Sequence, residues 1–417
     1  GKLVMRVAFF TNAYKPTVSG VVTSISLFRQ GLMDVGHEVH IVAPEQGEYE
    51  DEEPYVFRLP AIDLPGEIDL SLAMPLKALI DTALGGIKPS LIHSHHPILL
   101  GDLAAAFAHE LQIPLVFTFH TRYDEYAQQY VPIAPELAGS VMEQIVARYL
   151  EKCTHIIAPT ASIRDFILRE YAPFATKGSA SPAPVTVVPT PVNLSAYEDL
   201  APLAKKGSEA APPARKGSEA APGQVRANLG LQGAEVLLYV GRIAGEKGLD
   251  FLLRVFARIV AECPHARLLL VGDGPGEGDL REMARKLGIC DRVVFCGAVP
   301  HSEVPHYAAA ADLFVFSSVT ETQGLVLIEA MAAGTPIVAV EAPGSKDVLD
   351  EGGGLLVPLR EEVFAEAVVD LLRDRRRLEA LGRQAARIVQ RYTIPAATER
   401  LLAVYEAAIA AGPRARE

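Results

Sequence analysis

LFVFSSVTETQGLVLIEAMAAGTPIVAV, residues Leu313–Val340, contains a complete strand–loop–helix–strand unit. Leu313–Phe316 and Pro336–Val340 are short, continuous apolar runs, and unbroken rather than alternating hydrophobicity marks strands covered on both faces. A helix starting near Gly324 fills the space between them, and strands joined through a helix pair in parallel. The same alternation extends outward. Val236–Val240, Ala266–Val271 and Val293–Cys296 precede the unit in the second half of the chain. Arg6–Thr11, Glu38–Ala43, Ser90–His95, Leu115–His120, His155–Pro159 and Thr186–Pro189 repeat it in the first half. The chain has 417 residues, more than one hydrophobic core normally serves. Two α/β domains, each doubly wound around a parallel sheet, are expected.

The junction is compositional. Residues 201–224, APLAKKGSEAAPPARKGSEAAPGQ, carry KGSEAAP twice, at Lys206 and Lys216. Ala, Pro, Gly, Ser and charge cannot build a core, so this stretch reads as an exposed insertion. Lys177–Pro184 is a shorter patch of the same kind. The expected division is 1–194, a linker at 195–224, and 225–392.

Composition narrows the function classes. Hydrophobic residues make up 49% and charged residues 22% of the chain, which a disordered protein would not show. The net charge of -12 argues against nucleic-acid binding, which needs a basic surface. Residues 1–200 carry 13 Lys and Arg against 23 Asp and Glu, and residues 201–417 carry 26 against 28. Four cysteines in so long a chain make no disulfide framework and point to a reducing compartment. No apolar run approaches the ~18 residues of a membrane span, and no signal peptide is apparent. The expectation is a cytoplasmic protein, held at most at the inner face of the cytoplasmic membrane.

In open parallel sheets ligands bind beyond the carboxyl ends of the strands, so the loops that follow strands are searched first. The loop after the first strand, NAYKPTVSG at Asn12–Gly20, contains no GxGxxG, and His40–Pro44 close the second strand without an acid. Both features weigh against a nicotinamide or flavin site. Gly20, opening a helix, lets backbone N–H groups approach an anion, or serves as a plain turn. His120 ends its strand beside Thr121–Tyr126 and is placed to hydrogen-bond a substrate hydroxyl, although a lone histidine is more often structural. His93, His95 and His96 suggest a metal, but no carboxylates accompany them.

The second half carries the stronger signals. Arg242 follows a strand in GRIAGEKG (Gly241–Gly248), with Lys247 at the start of the next helix. A forked guanidinium and an ammonium on one loop suit a diphosphate, or are an ordinary surface pair. Gly272–Gly276 matches a dinucleotide fingerprint only superficially. Glu321 lies in the loop after Leu313–Phe316, and Glu329 sits eight residues on, inside an almost wholly apolar helix. A carboxylate in such a helix costs free energy unless it binds something. Gly324 and Leu325 open that helix and turn its N-terminus toward an anion.

With Gly20, His120, Arg242, Lys247, and Glu321 and Glu329 in this order, the chain resembles the retaining glycosyltransferases of the GT-B fold, in the class with a Glu-x7-Glu motif (family four). TETQGLVLIEAMAAGTPIVA and GRIAGEKG carry the resemblance, which covers the chain apart from the insertion. It implies two facing Rossmann-like domains with a catalytic cleft between them, and final helices from about Thr393 to Glu417 returning to the first domain. It implies a nucleotide-sugar donor and a hexosyltransferase activity with no obligatory metal. By resemblance, Glu329 grips the ribose hydroxyls, Glu321 contacts the donor sugar, and Arg242 and Lys247 neutralise the diphosphate. The backbone at Ala298–Val299 reads the base, Gly20 and the Gly324–Leu325 helix start approach phosphate, and His120 binds a sugar hydroxyl.

FHTRYDEY (Phe119–Tyr126) and HSHHPILLG (His93–Gly101) resemble the diacylglycerol glucosyltransferases and phosphatidylinositol mannosyltransferases. The expectation is therefore glucose transfer from UDP-glucose to diacylglycerol in glycolipid synthesis, with peripheral membrane contact. Three alternatives stand beside it: a soluble sugar, polysaccharide or metabolite acceptor, a non-catalytic nucleotide-sugar binder, and a nucleotide-sugar epimerase of related fold.

Overall fold

The computed structural model describes residues 4–63, 71–73, 77–123, 135–171, 183–197, 200 and 222–414. Residues 201–221 of the insertion, residues 177–182 of the Lys177–Pro184 patch, and Asp124–Tyr126 of the loop after His120 lie outside the described residues. The chain divides into two compact units, Gly1–Pro191 with Ile394–Glu417, and Val192–Thr393.

The first unit contains strands β1 (Arg6–Phe10), β2 (Glu38–Pro44), β3 (Val56–Leu59), the short pair β4 (Ala61–Asp63) and β5 (Ser71–Ala73), β6 (Leu91–Ser94), β7 (Leu115–Thr118), β8 (His155–Ala158) and β9 (Val185–Val187). Seven of these form a sheet in the order β3-β2-β1-β6-β7-β8-β9, with every pairing parallel. Val7 stands opposite Val39 on one side and Leu91 on the other. In β1 only Arg6, at the entry, is exposed. Such burial on both faces is what a continuous apolar run requires.

The second unit repeats the plan with β10 (Val236–Val240), β11 (Arg267–Val271), β12 (Val293–Gly297), β13 (Leu313–Phe316), β14 (Ile337–Val340) and β15 (Gly354–Val357), in the order β12-β11-β10-β13-β14-β15. VLLYV in β10 is buried at every position. Counted along the chain this is the order 3-2-1-4-5-6 of the doubly wound dinucleotide-binding fold.

Each sheet thus builds outward from its first strand in one direction, then resumes on the other side. The reversal lies between β1 and β6 in the first unit and between β10 and β13 in the second. Loops leaving the carboxyl ends of neighbouring strands diverge at such a point, which opens a crevice for ligands.

Two sheet strands and the β4–β5 pair go beyond the sequence reading. β3 and β15 lie at sheet edges and are only partly covered: in β3 only Leu59 is buried, with Phe57 exposed, and in β15 only Val357 is buried. An edge strand covered on fewer sides does not need an unbroken apolar run, and of the four edge strands β9 and β12 carry a readable run while β3 and β15 were not found. The chain's last helix, Ile394–Ala411, belongs to the first unit. Its Ala397, Leu401, Val404, Tyr405 and Ala408 join the core under β1 and β2. It also crosses the Gly20–Asp34 helix at Gly31, where an added Cβ would overlap the Thr398 hydroxyl.

Candidate functional site

In the second unit the loops after β10 and β13 meet at the switch point. The Tyr239 hydroxyl at the end of β10 donates to the Arg242 carbonyl at 3.1 Å. Burial, with Glu321 and Glu246 nearby, raises the Tyr239 pKa above the ordinary phenol value, so it remains a donor. Arg242 is exposed. The loop continues through a 3₁₀ turn, Gly245–Lys247, that ends at Gly248 with φ +63°. Ser317, just beyond β13, donates its hydroxyl to the Lys247 carbonyl at 2.8 Å and ties the two loops together.

Across this tie Lys247 Nζ donates to Glu321 Oε1 at 2.5 Å, with the two side chains 20% and 27% exposed. Ser318 Oγ donates to the same oxygen at 3.4 Å. The Glu321 backbone is seated against Gly344, where a Cβ would lie 2.5 Å from the Glu321 carbonyl oxygen. A cation and an anion 74 residues apart in sequence are thus placed together by two strand ends.

The glycine turn after β11 has a structural use. A Cβ on Gly272 would overlap the Gly241 carbonyl, and one on Gly274 the Ile243 carbonyl. Gly241 N donates to Val271 O at 2.9 Å, Ile243 N to Asp273 O at 2.7 Å, and Gly276 N to Ile243 O at 3.0 Å. The glycines therefore let the Arg242-bearing loop lie against the neighbouring one, which accounts for the superficial resemblance to a dinucleotide fingerprint.

Gly324, at φ +67°, is the N-cap of the Leu325–Ala332 helix and brings no side chain to cap it. Leu325 is half-buried. One turn on, Glu329 is 8% exposed among Leu327, Ile328, Ala330 and Met331, all buried. Its partner is His301, a residue the sequence reading did not single out. His301 Nε2–H donates to Glu329 Oε1 at 2.8 Å. This hydrogen bond holds the His301 pKa above the usual imidazole value, against the lowering effect of burial. Val299 is half-buried in the same loop, between β12 and the His301–Glu303 turn. HSEVPHY reads as a surface turn, and the sole signal for His301 was its place two residues after Val299.

In the first unit Gly20 is exposed and opens the Gly20–Asp34 helix, where Ser19 Oγ accepts from Val22 N at 3.3 Å. The loop before it is pinned by charge. Arg58 forms a forked pair with Asp51 (2.8 and 2.7 Å) and donates to the Lys15 carbonyl at 2.5 Å. Lys15 Nζ and the Tyr14 hydroxyl both donate to Glu53, at 2.7 and 2.6 Å.

His120, half-buried just after β7, lies with Nε2 2.9 Å from His95 Nδ1. The His95 and His120 rings meet edge to edge through this contact, with centroids 5.2 Å apart and planes 25° apart, and the His95 ring stacks on His93 at 4.3 Å. His93 spends both ring nitrogens on hydroxyls, Tyr405 at 2.6 Å and Thr118 at 2.7 Å. His96 Nδ1 accepts from Asn12 N at 3.1 Å. Burial lowers the His93 pKa to about 3 and that of His96 to about 4, and holds His95 and His120 below the usual range as well. All four are neutral at neutral pH. Among the described residues no group of three or more His, Cys, Asp or Glu is placed to hold a metal ion.

The profile described as "Glycosyl transferases group 1" matches residues 234–374, and "Glycosyltransferase Family 4" matches residues 18–196. The chain is 31% identical over 351 residues to the alpha-monoglucosyldiacylglycerol synthase of Streptococcus pneumoniae, covering 83% of this chain and 74% of that one. It is 32% identical over 334 residues to the D-inositol 3-phosphate glycosyltransferase of Segniliparus rotundus, covering 78% and 68%. Among solved structures, sucrose-phosphate synthase from Thermosynechococcus elongatus aligns with a TM-score of 0.74 at 21% identity, covering 96% of this chain and 98% of that one. Anabaena HepE in complex with UDP-glucose aligns with a TM-score of 0.73 at 20% identity, again covering 96% and 98%. At such identities the likeness concerns the fold alone.

Proposed function

The chain belongs to the group 1 glycosyltransferases of the GT-B fold, and from that premise we propose that it transfers glucose from UDP-glucose to diacylglycerol with retention of anomeric configuration. The observation that carries the donor half is the Lys247–Glu321 pair, set with Arg242 at the switch point of the second sheet. A nucleoside diphosphate is a dianionic leaving group, and two cations on one loop answer its charge. The Gly324–Leu325 helix start adds backbone N–H groups and the positive end of a helix dipole. Together they do the work a metal ion would do elsewhere.

In this reading Lys247 turns to the phosphate, and Glu321 accepts from a sugar hydroxyl. Glu329, buried and bonded through Oε1 to His301, accepts from the ribose diol. Backbone at Val299 meets the base. Gly20 and His120 of the first unit are assigned to a phosphate oxygen and a sugar hydroxyl. The bond from C1 of glucose to the β-phosphate oxygen breaks, the acceptor oxygen bonds to C1 on the same face, and the acceptor proton passes to the departing phosphate. The products are UDP and an α-glucoside.

The lipid acceptor is supported by two relatives, from Streptococcus pneumoniae and Acholeplasma laidlawii, that are named alpha-monoglucosyldiacylglycerol synthases and are 31% and 30% identical. A surface feature agrees. Leu137, Val141 and Ile145, spaced to share one face of the Pro135–Lys152 helix, are 66%, 48% and 39% exposed. Adjacent apolar side chains left in water suit an interfacial contact. No described helix is long and apolar enough to cross a membrane. A soluble acceptor is the second reading, favoured by the excess of acid in residues 1–200, which repels anionic lipid surfaces. A donor screen that reads released nucleoside diphosphate, with and without diacylglycerol, separates the two. Release from UDP-glucose that depends on diacylglycerol supports the lipid reading, and release driven only by soluble sugars replaces it.

A further inference from the structure

We propose that His301 is a positioning residue for Glu329: its Nε2–H holds the buried carboxylate in the orientation that receives the ribose diol, so that the pair, and not Glu329 alone, selects a donor carrying ribose hydroxyls. The proposal rests on the reading that Glu329 accepts from the ribose.

A carboxylate among apolar side chains is costly to desolvate, and on a flexible stem it turns toward water unless something holds it. Glu329 stays inside, with its side chain 11% exposed against 55% for His301. The two meet at 2.8 Å, Nε2 to Oε1. A carboxylate oxygen accepts and does not donate, so the shared proton belongs to His301 Nε2 whether the imidazole is neutral or charged. Such a donor fixes the place of Oε1 and with it the plane of the carboxylate. Capacity remains, because the two oxygens of a carboxylate offer about four lone-pair sites and the imidazole takes one. Two ribose hydroxyls can be received without displacing His301.

The backbone brings the histidine to this place. At the end of β12, Gly272 N donates to Gly297 O at 2.8 Å, and Glu303 N donates to Pro300 O at 2.8 Å, so the segment between is anchored at both ends. The Val304–Ala310 helix follows, with Val304, Pro305 and Ala308 among its buried residues. Thr335 Oγ1 donates to Ala308 O at 2.7 Å and ties that helix to the chain leaving the Leu325–Ala332 helix. His301 therefore reaches Glu329 on the loop that carries Val299. Base and ribose are adjoining parts of one nucleoside, and a single loop serves both contacts. Tyr197, buried beside Glu329, stays a neutral phenol, since burial and the nearby Glu329 both raise its pKa.

The test is calorimetric titration of the full chain with UDP and with 2′,3′-dideoxyuridine diphosphate, which lacks the diol. Wild type, His301→Leu, His301→Gln and Glu329→Gln are compared at about pH 8, above the ordinary histidine value of about 6.5. Leucine removes the donor, whereas the glutamine amide can place an N–H near the Nε2 position. Wild type is expected to bind UDP at least about tenfold more tightly than the dideoxy form, as hydrogen bonds to a charged group allow. H301L weakens UDP about tenfold and leaves the dideoxy form within about twofold, so the preference falls toward parity. H301Q keeps the UDP Kd within about threefold of wild type, as a restored hydrogen bond should. In turnover of UDP-glucose with diacylglycerol, the H301L loss appears in donor KM with kcat within about twofold, because the ribose lies away from the bond that breaks. If H301L weakens both ligands equally, or H301L and H301Q fall alike, His301 is only structural and the proposal is overturned. An unchanged preference in H301L, with E329Q impaired, overturns the positioning role alone. A wild type that does not prefer UDP to the dideoxy form removes the reading of Glu329 and the proposal with it.

Discussion

Replacing Gly31 by alanine tests how the last helix is seated in the first unit, and so how Tyr405 reaches His93. An alanine Cβ there would overlap the Thr398 hydroxyl and stand 2.9 Å from the Ile394 Cγ2 methyl. Helix propensity favours the change by about 1 kcal/mol, whereas overpacking of a tight contact costs about 1–3 kcal/mol. The net loss is about 1 kcal/mol, or a fall of roughly 2–4 °C in Tm for a unit of this size. Thr398→Ala alone should be nearly neutral. Its hydroxyl is buried without a partner among the described residues, so its removal relieves about 1–3 kcal/mol of desolvation, while the lost methyl costs about 1 kcal/mol. In the double variant the new methyl enters the vacated space and the helix gain survives. The two substitutions should therefore couple by about 2 kcal/mol, inside the range for residues in contact. Calorimetry of the full chain, following the transition of the first unit, measures all three. A Gly31→Ala protein as stable as wild type, with an additive double variant, would refute the packing of these two helices.

Three further outcomes are expected. Glu329→Gln should raise the donor KM about 10- to 100-fold, since hydrogen bonds to a charged carboxylate are worth about 1.5–3 kcal/mol; steady-state kinetics with UDP-glucose checks it. Because Glu329 raises the folded-state pKa of His301, the stabilisation from their pair is fully present below about pH 6.5 and is lost as pH rises through the raised value. Urea midpoints of wild type and His301→Gln should differ at about pH 5.5 and converge at about pH 8.5, by a small amount because the His301 side chain is 55% exposed. Lys247→Ala should lower kcat by about 10²–10³, the cost of losing one preorganised group at developing charge, and an unchanged kcat would remove Lys247 from the leaving-group site.

The sheets were legible where burial on both faces forces an unbroken apolar run, as in VLLYV and LFVF. They were illegible at two of the four edges, where VFRL and GLLV are covered on fewer sides and carry no unbroken run that turn signals set apart, although the edge strands β9 and β12 were read. Glu329 stood out as a carboxylate in an apolar helix, and it is buried in that helix with a histidine partner. That partner could not be read, because His301 comes from a turn 28 residues away whose composition is that of any surface loop. The His93–His95–His120 cluster illustrates a different limit. The extended backbone that runs from β6 into His95 brings His93 and His95 together, but whether neighbouring imidazoles bind a metal, each other or hydroxyls depends on what other elements bring to them. Here Tyr405 arrives from a helix 312 residues further on. The glycines of Gly272–Gly276 match a dinucleotide fingerprint only superficially because the space beside Gly272 and Gly274 is taken by the adjacent loop.

Proton NMR of the lipid product formed from UDP-glucose and diacylglycerol tests the central claim most directly, because it reads donor, acceptor and stereochemistry in one spectrum. An α-linked glucosyl diacylglycerol, formed in step with UDP, is the predicted outcome. A β-linked product, or UDP-glucose left unconsumed while diacylglycerol is present, would contradict it.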